Sequence, residues 1–232
     1  MTVSRRSEWL VPSLLVLLSV VPAVAGTTRL VELASGAEVT EANARFFAQP
    51  LPVVAHILSV IPYSILGAFQ FAPAFRRRRR GWHRTMGGIL VPCGMVAALT
   101  GLWMAHSYPW PEADGEALYA MRLLFGSAMA ASIVFAVDAI RRRDFTAHGA
   151  WMIRAYAIGL GAGTQVITHL PWFILVGQPG ELPRAVMMGA GWVINVVVAE
   201  GVIRRSSPST RSRFRRDSTS AMLTHAQRDC HT

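Results

Sequence analysis

Six long apolar blocks constrain the fold of this chain more than any other feature of the sequence. A helix of about 20 residues crosses the ~30 Å hydrocarbon core of a bilayer, and in lipid a helix satisfies all of its own backbone polar groups. The blocks therefore predict an all-α membrane bundle of six transmembrane helices, and the mean hydropathy of +0.35 agrees. We number them spans 1 to 6, and they cover about residues 9–25, 51–75, 86–106, 118–140, 149–176 and 185–203.

The basic residues indicate the orientation of these spans. All 23 are arginines, and eighteen of them lie before span 1, between spans 2 and 3, between spans 4 and 5, or after span 6. The other side holds four arginines, Arg29, Arg45, Arg122 and Arg184, and its loops carry seven acidic residues. By the positive-inside rule, both termini are predicted to be cytoplasmic.

The densest basic stretch, RRRRRGWHRTMGG over residues 76–88, lies between spans 2 and 3. An arginine run on a soluble domain would suggest nucleic acid. Here its position at a membrane boundary predicts contact with anionic lipids at the cytoplasmic face and no nucleic-acid partner. The polar, basic segment 206–232 is predicted to be a disordered cytoplasmic tail, which leaves residues 1–205 as the transmembrane domain.

Span 1 has two interpretations. Arginines followed by an apolar run and then AVA before Gly26 are typical of a cleaved signal peptide. An uncleaved first helix is the interpretation we favour, and cleavage would leave five spans in the same orientation.

An internal repeat relates the two central hairpins. RRRRRGWH ends at His83 and RRRDFTAH ends at His148, 65 residues later, and each stretch opens a span. Spans 2–3 and 4–5 are therefore predicted to be parallel copies packed about an axis along the membrane normal. They would form a four-helix core with spans 1 and 6 at its flanks.

Span 2 carries a polar stripe of His56, Tyr63 and Gln70 at a spacing of seven residues. Seven residues make almost two full helical turns, so successive side chains of this set differ in direction by only ~20° and share one face. A polar stripe is expected to face the bundle interior or a water-filled cavity. It serves either as a set of bonds between helices or as a path for a proton or small solute.

A second set of polar residues is predicted at the inner face. Arg154 lies ~9 Å along the helix from His148, at the depth of Asp138 and Glu200, and is expected to pair with one or both. Arg84 belongs to the same inner-face cluster. The pairing is either a structural ion pair or a functional site. Glycines 159, 161 and 163 predict close helix packing nearby.

Five histidines are candidate cofactor ligands. His83 and His148 are predicted at the inner face, and His56, His106 and His169 at the outer face. Repeat-related histidines can hold b-type haem through two imidazoles, as cofactor sites in four-helix cores are often built. However, His148 and His169 lie about 31 Å apart along a helix. Neither cysteine is part of a CxxC pattern, so no metal site is expected.

The quoted residues resemble a known family. HILSVIPYSILGAFQFAPAFRRRRRGWHRTMGG and HGAWMIRAYAIG are similar to the motifs of a bacterial membrane family known as domain of unknown function 2306, over roughly residues 51–175. Gly149 stands where an arginine is common in the family. The resemblance implies a multi-helix protein of the bacterial inner membrane and no assigned activity. The residues that fall on the family's motif are His56, Gln70, His83, Arg84, Gly87, His148, Trp151, Met152 and Arg154.

The sequence predicts a multi-pass membrane protein and leaves its activity, and whether it is an enzyme, open. The most specific hypothesis is a redox protein that binds b-type haem or quinone, with a redox partner, through histidines of spans 2, 3 and 5. The alternatives are a proton-coupled transporter or channel and a non-catalytic scaffold or assembly factor. No Walker, GxSxG or HExxH motif is present.

Overall fold

The computed structural model describes residues 5–72 and 79–206, with side chains from Trp9 onward. All regular structure in these ranges is helical, which confirms the predicted all-α fold. The helices are α1 (Arg5–Ser35), α2 (Ala44–Ala48), α3 (Pro50–Gln70), α4 (Arg80–Ser107), α5 (Glu116–Arg141), α6 (Phe145–Gly159), α7 (Gly161–Leu175) and α8 (Glu181–Ser206).

The helices that are long and apolar enough to cross a membrane follow the predicted spans. They are α1, α3, α4, α5 and α8, and α6 with α7 makes a sixth if this bent pair is one span. α1 continues to Ser35, beyond the predicted end of span 1, and runs unbroken through Gly26. The cleavage alternative for span 1 stays a prediction.

The boundary between spans 2 and 3 differs from the prediction. α3 ends at Gln70, before the predicted limit at residue 75. Arg79 is the N-cap of α4 and Arg80 its first residue, so this end of the arginine run begins a helix. Arg76–Arg78 lie outside the described residues, as does the tail from residue 207.

The four predicted core spans do form the core. One apolar cluster joins α3, α4, α5 and α6, and its most buried side chains include Tyr63, Ile133, Ala155 and Tyr156. α3 packs on α4, α5 packs on α6, and α4 joins the two predicted hairpins through α5. α1 lies at the flank against α3 and α7. Residues 197–206 belong to a second compact unit and are described only as the last turns of α8.

Glycines let aromatic rings lie directly on neighbouring backbone. A Cβ atom added at Gly94 would lie 2.5 Å from Cε2 of Tyr63, and one added at Gly67 would lie 2.6 Å from Cε2 of Tyr156. The Tyr156 hydroxyl donates to the carbonyl of Ser64 at 2.6 Å. The predicted close packing at glycines 159, 161 and 163 is also confirmed, because they admit Tyr63, Trp192 and Leu18 respectively.

Span 5, predicted as one helix, is broken. α6 ends at Gly159, α7 begins at Gly161, and the two are bent by 42°. In a continuous helix the carbonyl of Ala157 accepts from the N–H of Gly161. Here Nδ2 of Asn195, from α8, donates to the Ala157 carbonyl at 3.0 Å. Oδ1 of the same Asn195 side chain accepts from the Thr164 hydroxyl at 2.7 Å. A neighbouring side chain thus satisfies the backbone where the helix is interrupted.

Candidate functional site

A partly open cavity lies between the helices, and its volume of about 590 Å³ is within the range of about 300–1,000 Å³ for small-molecule sites. It extends from the break between α6 and α7 to the end of the bundle where α4 and α7 end and α3, α5 and α8 begin. We call this end the outer end, because the arginine distribution predicts that it faces away from the cytoplasm.

The walls of the cavity are apolar over most of their extent. Small residues leave the space open, among them Gly101 of α4 and Ala162 of α7. Met129 and Ile158 belong both to the wall and to the core, where they are buried. The cavity therefore offers an apolar surface through its inner part.

The outer part of the cavity carries charge. Asp114, in the loop before α5, is 2% exposed and bridges two arginines. Its Oδ2 lies 2.7 Å from Nη2 of Arg122 on α5, and its Oδ1 accepts from Nε of Arg184 on α8 at 2.6 Å. A single carboxylate thus holds together the loop, α5 and α8. The ionisable side chains that line the cavity are Arg45, His56, Tyr108, Asp114, Arg122 and Arg184.

Arg45 supplies a third guanidinium from the short helix α2. Its Nη1 donates to the carbonyl of Pro109 at 3.4 Å, and its guanidinium carbon lies 4.7 Å from the ring centre of Phe46. Arg29 also lies over that ring, at 4.5 Å, and is paired with Glu32. Burial lowers the pKa of Arg45 most, and Arg122, Arg29 and Arg184 lower it further, while Asp114 raises it.

Tyr108 fixes α2 against the loop that follows α4. Its ring is buried and lies edge-on to Phe46, with 5.7 Å between ring centres. Its hydroxyl donates to the carbonyl of Gln49 at 2.5 Å. These contacts hold Arg45 in place at the outer end of the cavity.

His56 lies on the cavity wall below the arginines. Its Nδ1 lies 3.0 Å from the carbonyl oxygen of Ala97 and 3.1 Å from the Thr100 hydroxyl. A carbonyl oxygen can only accept, so Nδ1 carries the proton in this hydrogen bond. Nε2 of the neutral ring is then an acceptor or a metal ligand.

The other four candidate histidines do not line the cavity. His106 is exposed, with Nδ1 3.0 Å from the Tyr119 hydroxyl. His169 on α7 donates from Nδ1 to the carbonyl of Gln165 at 2.7 Å. At the opposite end, His148 donates to the carbonyl of Ala136 at 2.9 Å, and His83 lies in the first turn of α4. Within the described ranges, no three histidine, cysteine or acidic side chains are grouped to hold a metal ion.

The polar stripe predicted on span 2 is divided by the packing. His56 faces the cavity, whereas Tyr63 is 2% exposed and lies in the apolar core. The Tyr63 hydroxyl has no hydrogen-bond partner among the described residues. Gln70 is the last residue of α3. A continuous polar path along this helix, which the carrier hypothesis needs, is interrupted at Tyr63.

The inner-face residues have contacts of their own. Asp138 accepts from Nε of Arg142 one turn later, through Oδ1 at 3.1 Å, and both side chains are exposed. The guanidinium of Arg154 lies 4.6 Å over the ring of Trp151. Arg84 is exposed near the start of α4, and Glu200 lies in the last turns of α8. The pairing of Arg154 with Asp138 or Glu200 stays a prediction.

The arginine–aspartate cluster could not be recognised from the sequence. The only signal for it in the sequence was that the outer side, whose loops are rich in acidic residues, also holds four arginines. Three of those four, Arg45, Arg122 and Arg184, line the cavity around Asp114. They are far apart in the chain, so only the packing of α2, α5 and α8 brings them together.

Comparison with known proteins supports the resemblance noted above. A family model described as "Predicted membrane protein (DUF2306)" matches residues 53–203. The chain belongs to this family. No curated protein matches it, and no solved structure does. The matched region of the DUF2306 family runs from α3 into α8 and contains His56, Asp114, Arg122 and Arg184, while Arg45 precedes it.

Proposed function

We propose that this membrane protein binds an amphipathic small molecule in the cavity at its outer end. The observation that carries the proposal is that one cavity combines an apolar interior with a cluster of guanidinium groups at one end. Small-molecule sites are typically apolar with a few placed polar groups that orient the ligand. The apolar part of the ligand would lie towards the helix break, and its polar head would lie at the arginines.

Binding of amphiphiles to the purified protein tests this proposal. We expect oleate, or oleyl alcohol of the same chain length, to bind saturably at one molecule per chain. Binding is measured by mass spectrometry of the protein in detergent. Gly101→Leu and Ala162→Phe place bulk in the cavity from two different helices, and we expect each to lower the bound fraction by about tenfold or more, as loss of ~1.4 kcal/mol does.

The control is Ala131→Phe, which adds the same bulk at an exposed position of α5 away from the cavity. It is expected to leave binding unchanged. Binding that fails to saturate, or that survives both cavity-filling variants, would contradict the proposal.

His56 favours redox chemistry as a second candidate function, with quinone or b-type haem in the same cavity. A quinone has an apolar tail and two oxygens, which accept hydrogen bonds from arginine donors. The Nε2 of His56 can accept a proton from a quinol hydroxyl or ligate haem iron. His56, on the cavity wall and with its tautomer set by a carbonyl, could serve a quinol in this way or supply one of the two imidazoles of a b-type haem site.

Spectra and extraction of the protein from haem-replete membranes test the redox candidate. We expect a Soret and α-band in the reduced-minus-oxidised spectrum, or quinone in the organic extract, at near-stoichiometric level. His56→Gln should lower that level at least about tenfold, and His106→Gln, which lies outside the cavity, should not. A wild-type protein that carries neither haem nor quinone would rule out this candidate and leave amphiphile binding intact.

A further inference from the structure

We infer that the head of the bound molecule is anionic, a carboxylate or a phosphate, and that Arg45, Arg122 and Arg184 hold it. This inference rests on the proposed amphiphile site. Three properties of these arginines support an anionic head: their excess positive charge, their remaining hydrogen-bond donors and their fixed positions.

The charges that line the cavity do not balance. Three guanidinium groups face it and Asp114 is its one carboxylate, among the described residues. Other carboxylates of the neighbouring segments do not line the cavity, among them Glu112 and Glu116, two residues either side of Asp114. Glu181 packs against Gly115, and Glu32 is paired with Arg29. A neutral head would leave this excess positive charge in place, whereas an anionic head offsets it.

The arginines also have hydrogen-bond donors to offer. A guanidinium has five N–H donors in a planar fork that matches carboxylate and phosphate oxygens. The contact with Asp114 uses Nη2 of Arg122 and Nε of Arg184. Arg45 uses one Nη1 donor on the carbonyl of Pro109. Several donors of each side chain therefore remain for an anion, and such charge-assisted hydrogen bonds are the strong ones.

Repulsion among the arginines also favours an anionic head. The pKa of Arg45 is lowered by burial and further by the positive charges of Arg122, Arg29 and Arg184. Asp114 acts in the opposite direction and does not cancel the other causes. An anion beside Arg45 would relieve both the repulsion and the loss of hydration.

The arginines are held before any ligand arrives. The buried carboxylate of Asp114 fixes Arg122 and Arg184. The Phe46 ring and the carbonyl of Pro109 fix Arg45. Preorganised groups lose less conformational freedom when a ligand binds, so this cluster has the rigidity that an anion site needs.

The experiment compares four probes on the intact protein in detergent at pH 8: oleate, hexadecyl phosphate, oleyl alcohol and inorganic phosphate. We expect both anionic amphiphiles to bind about tenfold more tightly than oleyl alcohol. Arg45→Gln should raise the Kd for oleate by about tenfold and leave that for oleyl alcohol unchanged. Arg45→Lys, which keeps the charge, should retain part of the preference.

Arg29→Gln is the matched control. Arg29 lies over the same Phe46 ring but does not line the cavity, so its loss should change oleate binding far less than the loss of Arg45. If Arg45→Gln does not fold, salt provides the second measurement on the unaltered protein. Raising the ionic strength screens exposed charges and should weaken oleate binding while leaving oleyl alcohol binding unaffected.

The outcomes separate the two proposals. Equal binding of oleate and oleyl alcohol, unaffected by Arg45→Gln and by salt, would overturn the anionic head and leave the amphiphile site standing. No saturable binding of any amphiphile would overturn the proposed function itself. Inorganic phosphate that binds as tightly as hexadecyl phosphate would support the anion site and overturn the amphipathic class of its ligand.

Discussion

Asp114→Asn is expected to lower the free energy of unfolding by about 3 kcal/mol. The carboxylate is 2% exposed and is the partner of two arginines that are themselves 26% and 30% exposed. Asparagine keeps the size of the side chain and removes its charge. Arg122 and Arg184, which both contact this carboxylate, then lie close together without a counter-charge, which is the costly outcome of breaking a buried ion pair.

Thermal or denaturant unfolding in detergent measures this effect, with Glu112→Gln as the control. Glu112 lies two residues earlier in the same loop, but it is exposed, and loss of its charge should change the stability by less than about 0.5 kcal/mol. If the two variants lost equal stability, Asp114 would not be the residue that holds α5 and α8 together. If millimolar oleate restored part of the stability lost in Asp114→Asn, the arginine cluster would be shown to bind the ligand.

Gly163→Val is expected to destabilise the protein by about 3 kcal/mol or to prevent its folding. Gly163 lies at the start of α7, where a Cβ atom would overlap the backbone carbonyl of Leu18 on α1. That obstacle is backbone and cannot turn aside as a side chain can. The two helices would have to separate, and the wall of the cavity that they share would be distorted.

The same unfolding measurement tests this prediction, with Gly88→Ala as the control. Gly88 is exposed on α4, and a Cβ atom added there meets nothing within 4 Å. Alanine is the better helix former by about 1 kcal/mol, so this variant should be as stable as the wild type or more so. A Gly163→Val protein of normal stability would show that α1 does not approach α7 as closely as described.

The class and pairing of the long apolar helices could be predicted because they depend on local rules. Each apolar block must satisfy its backbone within itself, so a span can be recognised from its own residues. The two hairpins were indicated by the repeat around His83 and His148, and the structure does pair α3 with α4 and α5 with α6. Family membership, confirmed over residues 53–203, depended on the same local motifs.

The break in span 5 and the end of α3 could not be predicted in this way. A helix through Gly159 and Gly161 satisfies its own backbone at every position, so the local sequence favours continuity. The break is stabilised by Asn195, 38 residues from the Ala157 carbonyl that it serves. That donor reaches the break only because α8 packs against α7, and no local sequence pattern predicts this contact.

The sequence alone therefore determined the membrane class of this protein, its spans and the family to which it belongs, because these follow from segment hydropathy, charge distribution and short motifs. Only the tertiary structure decided where a ligand can bind. The polar stripe of span 2 is divided between cavity and core at Tyr63, and a cluster of arginines around Asp114 takes its place as the candidate site. The physical reason is that a buried charge must find its partners in space, and here Arg45, Asp114 and Arg184 belong to three segments that only helix packing brings together.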